Sequence, residues 1–306
     1  MTVLGFDTSN YTTSAAFFDG VTGENRSRLL DVKPGELGLR QADALFAHVQ
    51  RLPDLFASLM ERCREPVRAV GVSTRPREAE GSYMPCFLAG SSHAEVLATA
   101  LHVPLYPVSH QQGHLAAALW SAERLELMDR PFLAWHLSGG TTELLLVQPQ
   151  GRSLTARRIG GTSDLAAGQL IDRTGKLLGL PFPAGKTLDS LSAGAAGRDA
   201  FRVRCQDLEF SLSGVENQVR AFHERGAPPA ETAAFALRSV AGAVRRTSEH
   251  ALSVYPGLPL VFSGGVSSNS LLRESFADVD AVFCPPRFST DNAMGPAVLA
   301  WREENA

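Results

Sequence analysis

A strand, a short polar turn and a second strand are written twice in this chain, and that repeat constrains its fold more than any other feature. Residues 2–20, TVLGFDTSNYTTSAAFFDG, place Val3, Leu4 and Phe6 before the polar Asp7-Thr8-Ser9, and an apolar run from Ser14 to Phe18 after it. Residues 132–147, FLAWHLSGGTTELLLV, place one apolar run before Ser138-Gly139-Gly140 and another after Thr141-Thr142. Short apolar runs bounded by turn residues read as strands, with Gly20 closing the first hairpin. Two such units point to an internal duplication of a β-hairpin lobe.

The segments between and after the hairpins alternate strand and helix. Residues 41–62 carry helical periodicity, interrupted at Pro53. A strand at VRAVGVST, a helix around SSHAEVLATALH, a strand at VPLYPVS and a helix beginning near His110 follow. Beyond the second hairpin, helices are expected at SDLAAGQLIDRTGKLLG, VENQVRAFHE and ETAAFALRSVAGAVRRTSEHAL. LPLVFSGGVSSNSLLRESF then reads as a buried strand, a glycine turn and a helix, and AVFCPP precedes a final helix. This alternation predicts an α/β protein. It resembles the two-lobed actin-like and sugar-kinase-like fold, two RNase H-like domains with a duplicated β-hairpin core and a ligand held between the lobes. The expected division is residues 1–115 for the first lobe, with 285–306 returning to it, and 116–284 for the second.

Composition narrows the class. A chain of 306 residues, 44% hydrophobic and 20% charged, is globular and long enough for two modest cores. Cys63, Cys86, Cys205 and Cys284 have neither zinc-knuckle nor redox spacing, which suits a reducing compartment without disulfides. The N-terminal residues show no secretory pattern, and no window reaches the roughly 18 apolar residues that a membrane span needs. The expectation is a cytoplasmic protein without membrane contact. A net charge of -3 argues against a nucleic-acid binder that relies on bulk positive charge, although not against one surface that helps hold RNA.

Three polar turns follow predicted strands: Asp7-Thr8-Ser9, Ser138-Gly139-Gly140-Thr141 and Ser263-Gly264-Gly265. Glycine pairs let main-chain amides approach a phosphate, and the third turn leads into a helix N-terminus through Asn269. The alternative is turns that only reverse the chain. There is no P-loop and no dinucleotide fingerprint. Asp172, within a predicted helix, could accept hydrogen bonds from ribose hydroxyls, or pair as a surface acid with Arg173 or Lys176. Gly185 and Asp189 follow it in PFPAGKTLDS. His110 and His114, in HQQGH, stand at i and i+4, close enough on one helix face to share a metal. The same pair would also fit packed or helix-capping histidines. The pattern is not that of zinc peptidases, because Gln111 stands where their catalytic Glu would be. Asp291, in the polar FSTDNAMG, is the best candidate for a third ligand. Ser211 and Ser213 read as caps or ligand contacts rather than nucleophiles.

Taken in order, DTSNYTTSAAFFD, HQQGH, LSGGTTELLLV, GGTSDLAAGQLIDRTGKLLGLPFPAG, FSLSG, FSGGVSSN and FSTDNAMG resemble the tRNA N6-adenosine threonylcarbamoyltransferase family, once described as glycoprotein endopeptidases. The resemblance spans nearly the whole chain and is most specific from Gly160 to Gly185. It implies transfer of the threonylcarbamoyl group of threonylcarbamoyl-AMP to N6 of the tRNA adenosine next to the anticodon. It further implies a divalent metal, Fe2+ preferred and Zn2+ second, on His110, His114 and Asp291. Leu137, Ser138, Gly139, Gly140 and Thr141 would then form the ligand loop, with Asp172, Gly185, Asp189 and Asn269 on the nucleotide. The implied partners are tRNA and accessory proteins of the pathway, including a TsaB-like paralogue.

The sequence departs from the family pattern at four places. DTSNYTT replaces a more acidic opening, Gln112 stands where an acid usually lies, Thr141 replaces a histidine, and STRPREAEG stands in place of a G-P-G-L stretch. These changes keep a second reading open, a diverged paralogue that binds nucleotide as a regulator or scaffold with reduced or no transferase activity. A third, a small-molecule kinase or carbamoyl transferase, would need a cleft acid as general base, for which Asp7 is the candidate.

Overall fold

The alternating apolar residues of the first hairpin form strands in the computed structural model, which describes residues 1–9, 11–32 and 39–305. β1 (Thr2–Asp7) and β2 (Thr12–Phe18) pair antiparallel, with Val3 opposite Phe18 and Asp7 opposite Ser14. A third strand, β3 (Gly23–Leu29), continues the meander. Its sequence, GENRSRL, does not announce a strand, because an edge strand buried on neither face needs no apolar alternation. Gly20 therefore turns the chain from β2 into β3 instead of ending the hairpin. α1 (Gln41–Met60) runs unbroken through Pro53, contrary to the interruption expected there. Pro53 lies on the exposed side, while Ala44, His48, Leu52 and Leu59 are buried. That packing outweighs the roughly 3 kcal/mol that an interior proline costs a helix.

β4 (Val67–Arg75), α2 (Phe87–Leu101), β5 (Leu105–Ser109) and α3 (His110–Ser121) complete this part of the chain. The sheet order is β3-β2-β1-β4-β5, with β1, β4 and β5 parallel. Side chains alternate across it. Leu4, Phe6, Val70 and Val72 form a core with Leu52 and Leu59 of α1 and Ala94 and Ala98 of α2. Val3 and Ala69 face the other way, against Ala300 of the C-terminal helix, Met294–Glu304. Glycine permits that helix to lie directly on the sheet. A Cβ on Gly5 would stand 2.2 Å from the Ala293 carbonyl oxygen, and one on Gly71 2.1 Å from that of Pro296. A Cβ on Gly295 would stand 1.9 Å from the Gly113 carbonyl oxygen, so α3 and the C-terminal helix also touch main chain to main chain.

The second sheet is built from β6 (Phe132–Leu137), β7 (Thr142–Gln150), β8 (Ser153–Thr162), β9 (Cys205–Gln206), β10 (Glu209–Phe210), β11 (Leu260–Ser263) and β12 (Ala281–Phe283). Its order is β12-β11-β6-β7-β8-β10-β9. β6 pairs antiparallel with β7 and parallel with β11, and β11 pairs parallel with β12. The run β8-β7-β6-β11-β12 thus repeats the arrangement β3-β2-β1-β4-β5, which gives the duplicated hairpin of the sequence its structural meaning. The helices are α4 (Ala167–Leu177), α5 (Gly185–Ser192), α6 (Ser213–Glu224), α7 (Pro229–Val254) and the short α8 (Ser270–Glu274) and α9 (Pro286–Ser289). Leu133, Trp135 and Leu137 of β6 pack with Val240 and Val244 of α7 and Phe262 of β11 in its core. By contact density, Met1–Arg130, Gln148–Ala156 and Asp291–Ala306 form one compact unit, and Pro131–Val147 and Arg157–Thr290 form the other. Among the described residues, no helix is long and apolar enough to cross a membrane.

Candidate functional site

In the first unit, Ser109 and Gln112 close a capping box at the start of α3. The Gln112 Oε1 accepts from the Ser109 N–H at 2.7 Å, and the Ser109 Oγ accepts from the Gln112 N–H at 3.2 Å. The Gln111 N–H, another free donor of the first turn, is taken by the Pro76 carbonyl at 3.1 Å. With its first turn fixed, α3 presents His110 and His114 on one face, ring centroids 4.3 Å apart. Asp291 reaches them from just ahead of the C-terminal helix. Its Oδ1 lies 3.2 Å from His114 Nε2 and 3.5 Å from His110 Nε2. The segment is held by Asn292, whose Oδ1 accepts from the Met294 N–H, and by Asn25, which accepts from the Ala293 N–H.

One ligand atom from each of His110, His114 and Asp291 can be chosen so that all lie within 4.8 Å of one another. Two imidazole nitrogens and one carboxylate oxygen are a donor set for a single ion, and the 3.2 and 3.5 Å separations from Asp291 are those of ligands that share an ion at about 2.0–2.2 Å. The donor set suits zinc or non-haem iron and leaves further coordination positions open. Burial opposes charging His110, but the Asp7 carboxylate, 2.9 Å from Nδ1, and Asp291 overcome it and push the pKa up to about 10. Burial and the His110 cation lower the pKa of His114. Burial would raise that of Asp291, but hydrogen bonds from both histidines hold it well below the usual carboxylate range.

The second unit gathers the glycine turns. β6 and β11 are parallel neighbours, so Ser138-Gly139-Gly140 and Ser263-Gly264-Gly265 emerge at the same sheet edge, where α/β folds hold ligands. Ser138 Oγ bonds Thr141 Oγ1 at 2.7 Å and accepts from the Thr141 N–H at 3.1 Å. Two glycines press main chains together behind this turn. A Cβ on Gly168, in the first turn of α4, would stand 2.4 Å from the Ser138 carbonyl oxygen, and one on Gly264, whose φ is +87°, 2.3 Å from that of Leu137. By contrast, Cβ atoms on Gly139, Gly140 and Gly185 would meet nothing within 4 Å. Crowding behind the turn and open space at its tip make a surface that main-chain amides can offer to a ligand.

A family model described as TsaD, tRNA N6-adenosine threonylcarbamoyltransferase, matches residues 38–298. The chain belongs to this family. The tRNA N6-adenosine threonylcarbamoyltransferase of Streptococcus pneumoniae serotype 2 (strain D39 / NCTC 7466) is 33% identical over 259 residues, 79% of this chain and 73% of that protein. Among solved structures, full-length HypF in its phosphate- and nucleotide-bound form has a TM-score of 0.64 at 13% identity, covering 100% of this chain and 47% of HypF. A ROK family glucokinase from Streptomyces griseus, in complex with glucose and AMPPNP, has a TM-score of 0.52 at 12% identity over 99% of this chain and 100% of its own. These likenesses show the fold, which is actin-like and sugar-kinase-like.

Each residue that the family resemblance marks has a definite place. His110, His114 and Asp291 come together in the first unit. Leu137 to Thr141, Asp172, Gly185, Asp189 and Asn269 all lie in the second. Asn269 Nδ2 donates to Asp189 Oδ1 at 2.7 Å, and Asn269 also caps α8 through the Leu272 N–H. Arg173 pairs with Glu216 rather than with Asp172. Asp172 instead accepts the Ala184 N–H at 2.8 Å; burial pushes its carboxyl up and that bond partly offsets the shift. Two acids carry more than their sequence suggests. Asp164 accepts from Ser211 Oγ and the Leu165 and Leu212 N–H groups, which ties GGTSD to FSLSG and gives Ser211 its role. Asp7 is 1% exposed with both oxygens engaged, one by Ser9 and the other by His110, so it does not face an acceptor as a general base. Its signal was the equivalence of Asp7-Thr8-Ser9 to the later S-G-G turn, which marks a place and not a partner.

Proposed function

We propose that this chain transfers the threonylcarbamoyl group of threonylcarbamoyl-AMP to N6 of the tRNA adenosine next to the anticodon, A37, forming t6A. Family membership across residues 38–298, a span that contains both clusters of candidate residues, is the observation that carries this reading. In the reaction the adenine N6 amine attacks the carbamoyl carbon, the bond to the phosphate oxygen breaks, and AMP leaves as the amine loses a proton. The main-chain amides of Gly139 and Gly140 would hold the phosphate, and Asp172 would accept from ribose hydroxyls. Gly185, Asp189 and Asn269 would border the nucleoside.

His110, His114 and Asp291 would hold a divalent metal, Fe2+ preferred and Zn2+ second. When bound, the ion supplies positive charge against the negative charge of the substrate and of the departing phosphate. The regulatory-scaffold reading is not favoured. Gln112, one departure that motivated it, donates from Nε2 to the Leu154 carbonyl at 2.6 Å while capping α3, a bond that an ionised acid could not make. Thr141 closes the Ser138 turn.

tRNA as substrate implies a cytoplasmic protein, and accessory proteins of the pathway, including a TsaB-like paralogue, are the proposed partners. Support for a protein partner comes from α1 and α2, which border a groove of about 390 Å3 lined by Leu52, Phe56, Val96 and Leu97. Val96 on α2 is 68% exposed. The decisive experiment combines the purified chain with tRNA, threonine, bicarbonate, ATP and the enzyme that makes the adenylate, and measures t6A by nucleoside mass spectrometry. Product should require the chain and vanish when His110 and His114 are both replaced by Ala. Unmodified tRNA beside tight adenine-nucleotide binding would overturn the transferase reading in favour of the scaffold.

A further inference from the structure

We infer that Asp7 is a positioning residue for His110, holding the imidazole in the tautomer that leaves Nε2 unprotonated for a cation. The inference rests on the proposed metal centre. Asp7 ends β1 with its carboxylate buried, 1% exposed, and its main chain fixed by the sheet and by Ser14 Oγ, which donates to the Asp7 carbonyl at 3.0 Å. Its two oxygens have different neighbours. Oδ1 accepts from the Ser9 main-chain N–H at 3.0 Å and from Ser9 Oγ. Oδ2 lies 2.9 Å from His110 Nδ1.

The Ser9 N–H can only donate, so whatever occupies the Oδ1 position must accept. That leaves Oδ2, also an acceptor in a carboxylate, against His110 Nδ1. An acceptor there keeps the proton on Nδ1 and the lone pair of a neutral ring on Nε2, the atom that faces Asp291 and stands beside His114. A carboxylate behind a metal-ligating histidine commonly has this role, fixing both tautomer and ring orientation. Two further contacts fix the turn: Thr8 Oγ1 donates to the Cys86 carbonyl at 2.9 Å and accepts from the Gly90 N–H at 3.0 Å. Asp7 is thus held at both its backbone and its side chain, with Oδ2 directed at His110 Nδ1.

Asp7→Asn separates this role from a structural one. Asn keeps the size and must still present its oxygen to the Ser9 N–H. Its NH2 group then points at His110 Nδ1, which can only accept from it, and the ring proton moves to Nε2. Loss of tautomer control of this kind is what disables a histidine when its partner Asp becomes Asn in hydrolase triads. Asp7→Ala leaves His110 free to take either tautomer and should do less harm, although it removes more contacts.

The test measures zinc dissociation constants for wild type, D7N and D7A by competition with a chromophoric chelator, and the His110 tautomer by long-range 1H–15N NMR. The expected result is roughly 10–100-fold weaker zinc binding in D7N, a smaller loss in D7A, and folded metal-free protein in each case by circular dichroism. The zinc-bound wild type should show a proton on His110 Nδ1. Equal zinc affinity in wild type and D7N, or zinc bound through Nδ1, overturns the inference alone. A wild-type protein that binds no zinc overturns the metal reading and the inference with it. Greater loss in D7A than in D7N assigns Asp7 a packing role and also overturns it.

Discussion

His110 stands between two carboxylates, and its response to pH follows from that position. Its pKa in the metal-free fold is about 10, against 6.5 for an unperturbed histidine. The proposed metal would need the Nε2 lone pair, so its binding at pH 7 would displace a proton. His114, whose pKa is lowered, is already neutral there. Calorimetry in buffers of different protonation enthalpy should find about one proton released per ion, with affinity rising about tenfold per pH unit up to pH 10. Stability runs the other way. The folded pKa lies above the unfolded one, so the contribution is complete below pH 6.5 and is lost as pH rises towards 10. The melting temperature of metal-free protein should fall across that window, and His110→Ala should remove the His110 part of the slope. No proton release on metal binding would mean that His110 is not a ligand through the nitrogen facing Asp291. Of these partners, the sequence showed the i,i+4 histidines and pointed to Asp291, because spacing and motif order are local. The bond from Asp7 to His110 crosses from β1 to α3 and has no local signature.

The glycine turns belong to the scale of elements, where the same residue type serves opposite ends. Gly264 has φ +87° and no room for a Cβ beside Leu137, whereas Gly139 and Gly140 face open space. Gly264→Ala should therefore destabilise the protein by about 1–3 kcal/mol, read as a lowered melting temperature. Gly139→Ala and Gly140→Ala should leave that temperature nearly unchanged yet weaken adenine-nucleotide binding about tenfold, if the turn tip meets the ligand. A variant at Gly139 that binds nucleotide normally would assign the turn to chain reversal alone. The sequence read both S-G-G turns correctly as strand ends, but identical letters could not reveal which glycine is crowded. Packing overrode local signals elsewhere too: α1 passes through Pro53, and polar β3 forms because β2 offers it an edge.

At the scale of the whole molecule, a net charge of -3 leaves little bulk attraction for RNA, so tRNA must be engaged through local surfaces or with help. The exposed apolar face of α1 and α2 suits that help. Val96→Asp should abolish co-elution of the chain with a TsaB-like protein, the proposed partner, in size-exclusion chromatography while leaving the melting temperature of the isolated chain unchanged; co-elution at wild-type levels would assign the proposed partner to another face. The sequence by itself determined the duplicated α/β architecture, because hairpin periodicity and strand–turn order are properties of neighbouring residues. It also determined the family, because a long ordered set of motifs is harder to imitate than any one of them. The tertiary structure alone decided which buried polar groups serve which partners. Asp7 went to His110, Asp164 to the Ser211 loop and the Gln112 amide to the Leu154 carbonyl, since a hydrogen bond is chosen by distance in space, and sequence separation carries no information about it.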